Sequence, residues 1–172
     1  DARTIPWKKY RGLDTMQLAS RVIEAVAEFQ PEAIFVDGGG VGGGVVDRLR
    51  SLHTSVIEVN FGSKATDPRY NNKRAEMWGC MREWLTGGAI LKDRDLHDDL
   101  IGVEYGYTIT NQIQLEKKED MKKRGLASPD FGDALALTFA YPVAPKGFQT
   151  GTSEAAKARR EYNPFNRNRK QR

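Results

Sequence analysis

The chain has 172 residues, 39% of them hydrophobic, with 27 lysines and arginines against 23 acids and a single cysteine. That is room for one domain with a core of its own. Lone Cys80 excludes a disulfide framework and a cysteine-rich zinc site, no apolar run approaches the roughly 20 residues of a membrane span, and no P-loop ATPase motif occurs. The net charge of +4 is unevenly placed. Residues 157–172 hold seven basic residues and one acid, net +6, which leaves twenty basic and twenty-two acidic residues, net −2, in residues 1–156.

In chain order, Thr4–Tyr10 reads as a short strand, with Pro6 suggesting a sheet edge. Asp14 caps a helix, and Gln17 three residues on completes a capping box. Ala19, Val22, Ile23, Val26 and Ala27 form its apolar stripe, and Pro31 ends it. The run Ala33–Val36 predicts a strand buried on both faces, ending at Asp37. A glycine-rich loop follows, then a helix through Val45, Val46 and Leu49 and a strand Ser55–Val59. Helix, strand, helix, strand implies parallel pairing in an α/β sheet. Arg74–Leu85 is a further helix with Met77, Trp78, Met81 and Leu85 inward, read as core, and Gly87-Gly88 stops it. Ala89–Leu91 reads as a short strand, and Tyr107–Leu115 as a hairpin turning at Asn111-Gln112. Ser128-Pro129 predicts a helix start, with Ser as cap and Pro first, running to Pro142. Residues 1–145 are thus the expected domain, and 146–172, where no apolar period survives, a flexible basic tail with Tyr162 and Phe165 as docking candidates.

Two carboxylates stand in costly places. Asp37 ends a buried parallel strand, where open α/β sheets place their ligands. Asp133 lies one turn into a helix that is apolar on nearly every face, so it too is expected to be buried. Asp130 precedes it by three residues on the same face, where the helix start alone would favour an acid. A buried charge needs a partner. Acids from separate elements of one core suggest a divalent metal site, and oxygen ligands suit Mg²⁺ or Mn²⁺. The chemistry would be two-metal hydrolysis.

A competing pattern exists. Gly38–Gly43 fits G-x-G-x-x-G between a strand and a helix, and Glu58 stands where a ribose-binding acid would. That alternative is a Rossmann-like dinucleotide-binding domain. The match is weak, because several registers fit so glycine-rich a loop and Asp37 is an awkward neighbour for a pyrophosphate.

Three blocks, Phe35–Leu49, Asn72–Trp78 and Lys118–Leu135, together resemble the nuclease domain of tailed-bacteriophage large terminase subunits, in family order and over about residues 30–141. The resemblance implies an RNase H-like α/β fold, a mixed sheet flanked by helices. It implies a metal-dependent endonuclease that cuts concatemeric double-stranded DNA during genome packaging, with two Mg²⁺ or Mn²⁺ ions. The implied partners are an ATPase domain on the same polypeptide, a small terminase subunit and the portal protein of the procapsid, and no membrane. The implied place is the cytoplasm of the infected bacterium, with transient docking on the procapsid.

By the same resemblance, Asp37 and Asp133 match the family's metal-binding acids, and Asp130 supports a second metal or water. Asp37→Ala or Asp133→Ala is expected to abolish cleavage and leave the fold intact. The family has a further essential aspartate on the first strand of a leading hairpin, and neither Asp1 nor Asp14 suits it. The chain is therefore expected to be a fragment that cuts weakly or not at all by itself. Lys73 and Arg74, at a helix start, and the basic cluster Lys117, Lys118, Lys122, Lys123 and Arg124 are candidate phosphate contacts, which position DNA without reading its sequence. Hairpin 107–115 could lie against DNA or be a plain sheet edge. Asp93, Asp95, Asp98 and Asp99 read as a solvated helix face, and His53 as structural. Other readings are a resolvase-like RNase H-fold nuclease and a non-catalytic assembly module.

Overall fold

The computed structural model describes residues 3–144; the expected basic tail, 146–172, lies outside the described residues. The first helix, α1 (Thr15–Phe29), opens as expected: the Asp14 side chain accepts from the Gln17 amide at 2.7 Å, and the Gln17 side chain accepts from the Asp14 amide at 3.1 Å. Two of the orphan donors of a helix start are satisfied reciprocally. Ala19 is buried against Val45 and Leu49 of α2 (Gly42–Ser51), with Val22, Ile23, Val36 and Val56 around them.

Between these helices runs β1 (Phe35–Asp37), which pairs in parallel with β2 (Ile57–Val59) in the register Phe35 to Ile57 and Asp37 to Val59. The expected parallel unit is present. The expected burial on both faces is not: Phe35, Val36 and Asp37 are half-buried. Among the described residues β1 pairs only with β2, so this sheet has just two strands.

The main core forms around α3 (Lys73–Trp84). Met77, Trp78 and Met81 pack with Val59, Leu96, Leu135, Ala136 and Ala140. Leu96 comes from α4 (Arg94–Gly102), and Leu135 and Ala136 from α6 (Asp130–Leu137). Helix α6 packs against α3, α4 and β1. Met77 is fully buried. Met77→Ala should cost about 2–5 kcal/mol, by lost transfer energy and the cavity left, read as a lower urea midpoint.

Several expectations need correction. Thr4–Tyr10 and Ala89–Leu91 are not strands. Only a single bridge joins Arg3 to Ala89, tied by the Thr4 amide to the Ala89 carbonyl at 3.0 Å. Pro6 has no amide to extend the pairing. The hairpin is real but short, β3 (Tyr105–Tyr107) with β4 (Ile113–Leu115), and Asn111 takes the left-handed conformation, φ +59°, that its turn needs. The charged stretch after it holds an unexpected short helix, α5 (Lys118–Lys123), anchored by buried Met121. Ser128 does not cap α6; Pro129 stands at the cap with no side-chain bond. Helix α6 also stops at Leu137, and the Thr138, Phe139 and Ala140 amides make tighter bonds to the carbonyls three residues back.

Candidate active site

Asp37 is the last residue of β1, and its Oδ1 accepts from the Gly39 amide at 3.0 Å. The glycines behind it are there for close approach. A Cβ on Gly42 would stand 1.8 Å from the Asp37 carbonyl oxygen, and one on Gly38 would stand 2.4 Å from Glu58 Oε1. Helix α2 therefore begins directly against the backbone of Asp37, and the Glu58 side chain lies over Gly38. Glu58 is in turn paired with Arg50 at 3.2 Å. Packing accounts for these glycines without a pyrophosphate.

Asp133 is buried, 5% exposed, as expected. The sequence did not point to its protein partners. Oδ1 accepts from Arg74 Nε at 2.8 Å and from Trp78 Nε1 at 2.9 Å. Oδ2 faces Lys118 Nζ at 3.0 Å, an ion pair. Arg74 also reaches the Glu116 carbonyl through Nη1 at 3.3 Å, stands over the Trp78 ring, and leaves Nη2 buried without a partner. One carboxylate thus sits among two cations and an indole.

The other candidates are scattered. Asp130 is exposed and borders a hollow with Asp95, Asp98 and Asp99, on the α4 side of α6. Lys73 is buried, 4% exposed, bound to Glu76 at 2.8 Å and set over the Tyr141 ring. Arg74 is turned inward to Asp133. Lys118 is partly exposed, and Lys122 and Lys123 are exposed, the latter paired with Asp120. Arg124 is tied to Glu104, Glu116 and the Gly102 carbonyl, and its guanidinium holds the Glu116 carboxyl below its ordinary range. Among the described residues, no group of three or more acids, histidines or cysteines gathers where a metal could be held.

Sequence reasoning missed Trp78, Glu76 and Asp99 as polar participants. Arg74 and Trp78 are four apart on one helix face, which was the available signal for Trp78. Asp99 is not a solvated face residue: its Oδ2 accepts from the Phe131 and Gly132 amides at 2.8 and 3.0 Å. Burial pushes its carboxyl above the ordinary range; the two amides pull the other way without offsetting it.

No family model matches the chain, and no curated protein does. Its structure is similar to solved nuclease domains of phage large terminase subunits, and the chain has that mixed α/β fold. The nuclease domain of the large terminase subunit gp2 of bacterial virus Sf6, a lysine-to-alanine variant with manganese, is 18% identical at a TM-score of 0.61, over 76% of this chain and 75% of that one. The corresponding variant with calcium is 17% identical at 0.61, over 76% and 74%. The large terminase nuclease of thermophilic phage G20c with bound magnesium is 16% identical at 0.50, over 74% and 63%. All three come from large terminase subunits, so the dinucleotide alternative gains no support from them.

Proposed function

We propose that this chain is a metal-dependent endonuclease domain of a phage large terminase, cutting concatemeric double-stranded DNA during packaging. The observation that carries the reading is the fold it shares with the Sf6 nuclease domain, together with two carboxylates placed on packed neighbours, Asp37 ending β1 and Asp133 in the first turn of α6. The donor set suits a divalent cation. Asp133 Oδ2 is a buried carboxylate oxygen whose one polar partner is the movable Lys118 ammonium at 3.0 Å, and Mg²⁺ characteristically takes only one or two protein carboxylates, completing its shell with water and substrate phosphate. Asp37 and Asp133 would hold it, and a bound pair of ions would supply an activated water and charge stabilisation for the leaving oxygen.

The chain's own residues prepare that site. Arg74 and Trp78 both donate to Oδ1, which holds that oxygen in place and leaves Oδ2 as the oxygen that would ligate a metal. Lys118 now stands at Oδ2. It is 40% exposed, so its ammonium can swing to solvent or onto a DNA phosphate. Lys118, Lys122 and Lys123, along α5, are the proposed phosphate contacts; Lys73 and Arg74 act from inside, by holding Glu76 and Asp133. The proposed partners are the ATPase domain of the same polypeptide, the small terminase subunit and the procapsid portal, in the cytoplasm of an infected bacterium. Among the described residues no helix is long and apolar enough to cross a membrane.

Titration with Mn²⁺, followed by NMR line broadening, tests the site. Amides of residues 38–40 and 132–134 and the Trp78 indole should broaden first, and Asp37→Ala should remove the effect. Lys118→Ala, which removes the competing ammonium, should tighten Mn²⁺ binding severalfold. Uniform broadening, or none, would contradict the proposed ligands.

A further inference from the structure

Helix α6 carries Asp133 but does not supply its own start. Pro129, at the cap, offers no side-chain acceptor. The first amides of a helix have no partner inside it. Pro129 has no N–H; the Asp130 amide donates to the Ser128 carbonyl at 2.9 Å, and the Asp133 amide makes the first regular helical bond, to the Pro129 carbonyl at 2.8 Å. The two between them, Phe131 and Gly132, both donate to one oxygen of Asp99, which comes from α4. The same turn is gripped from the other side. A Cβ on Gly132 would stand 2.7 Å from Trp78 Cη2 and 3.3 Å from Asp99 Cβ, so Gly132 lets the turn pass closely between them. That Cβ would also stand 2.8 Å from Trp78 Cζ2, two bonds along the same edge from the Nε1 that donates to Asp133 Oδ1.

We infer that Asp99 is a positioning residue for Asp133: its carboxylate, across from α4, fixes the first turn of α6 and with it the angle at which Asp133 meets Trp78 and Arg74. The catalytic arm of this inference rests on the nuclease reading; the structural arm does not. Asp99 is needed as an acceptor rather than as a charge, because asparagine serves about as well as aspartate at a helix start.

The test compares Asp99→Ala and Asp99→Asn with the unaltered chain. In Asp99→Ala the Phe131 and Gly132 amides should exchange with solvent about tenfold faster, as a local opening with the rest of the core protected. The Trp78 indole N–H resonance should shift as its bond to Asp133 weakens. DNA cleavage should fall about tenfold in kcat, because a small displacement of a reacting group is costly, with KM for DNA within about twofold. Asp99→Asn should restore all three. If Asp99→Ala does not fold, Asp99→Asn still decides: it must leave the indole resonance and the amide protection near those of the unaltered chain. Unchanged protection and an unmoved indole in Asp99→Ala, or an Asn variant that loses both, would overturn the inference. If the unaltered chain cuts no DNA, the nuclease reading fails by itself, and exchange and the indole signal still judge Asp99.

Discussion

Asp133→Ala is expected to destabilise the domain by about 3–5 kcal/mol, the scale for removing one partner of a buried ion pair, besides ending cleavage. The geometry sets a stability cost beside the expected loss of cleavage. Asp133 is the acceptor for Arg74 Nε and Trp78 Nε1 and the counter-charge for Lys118. Alanine would leave the inward Arg74 guanidinium, only 11% exposed, without its carboxylate, and the indole N–H without an acceptor. Asparagine should recover part of the loss by keeping an acceptor oxygen. Asp37→Ala is the contrast: Asp37 is half-buried and bonds one loop amide, so its removal should cost about 1 kcal/mol. Urea midpoints of the two variants, measured side by side, would show the difference. Equal midpoints would mean that the Arg74–Asp133–Trp78 cluster contributes little.

The second large effect lies at Glu76. This carboxylate is 8% exposed, pairs with buried Lys73 at 2.8 Å, and accepts from the Asp67 amide at 2.9 Å and the Thr66 amide at 3.2 Å. Glu76→Ala would leave the Lys73 ammonium buried without a counter-charge and free the loop before α3, at a cost of about 3–5 kcal/mol. Adding Lys73→Met should recover much of that loss, since the pair rather than either charge fits the site. The pair also sets a pH dependence. Burial pushes the Glu76 carboxyl up, but Lys73 and the two amides outweigh it, and the net direction is down. The unfolded chain then takes up the proton more readily than the folded one. The stabilising contribution is therefore complete above the ordinary glutamate range and is lost as pH falls through the lower, folded value. Between those values the chain should lose more stability on acidification than Glu76→Gln does.

What could be read from the sequence was local and periodic. The Asp14–Gln17 capping box, the apolar face of α1, the parallel pair around α2 and the inward Met77, Trp78 and Met81 all follow from spacings of two to four residues, and all are present. Asp37 and Asp133 were legible because a charge at the end of an apolar strand or inside an apolar helix is costly wherever the chain folds. The partners of those acids were not legible. Arg74 and Trp78 meet Asp133 across separations of 59 and 55 residues, and Asp99 meets α6 across 32 and 33. No period links such positions. Lys73 looked like a surface cation because lysine beside arginine at a helix start is ordinarily solvated; that it turns inward follows from Glu76 and the loop it holds. Strand lengths were overread for a related reason. An apolar or alternating run becomes a strand only as far as a neighbour pairs with it, and beside Thr4–Tyr10 only Arg3 makes a bridge, to Ala89.

The most direct test of the nuclease reading is cleavage of plasmid DNA by an excess of this chain in Mn²⁺, with Asp37→Ala beside it. The account predicts slow nicking that EDTA stops and that Asp37→Ala lowers about 100-fold or more, on the scale of losing a group that acts in the transition state. Asp37→Ala suits the comparison because its fold should stand. No Mn²⁺-dependent cutting above the Asp37→Ala level would contradict the account.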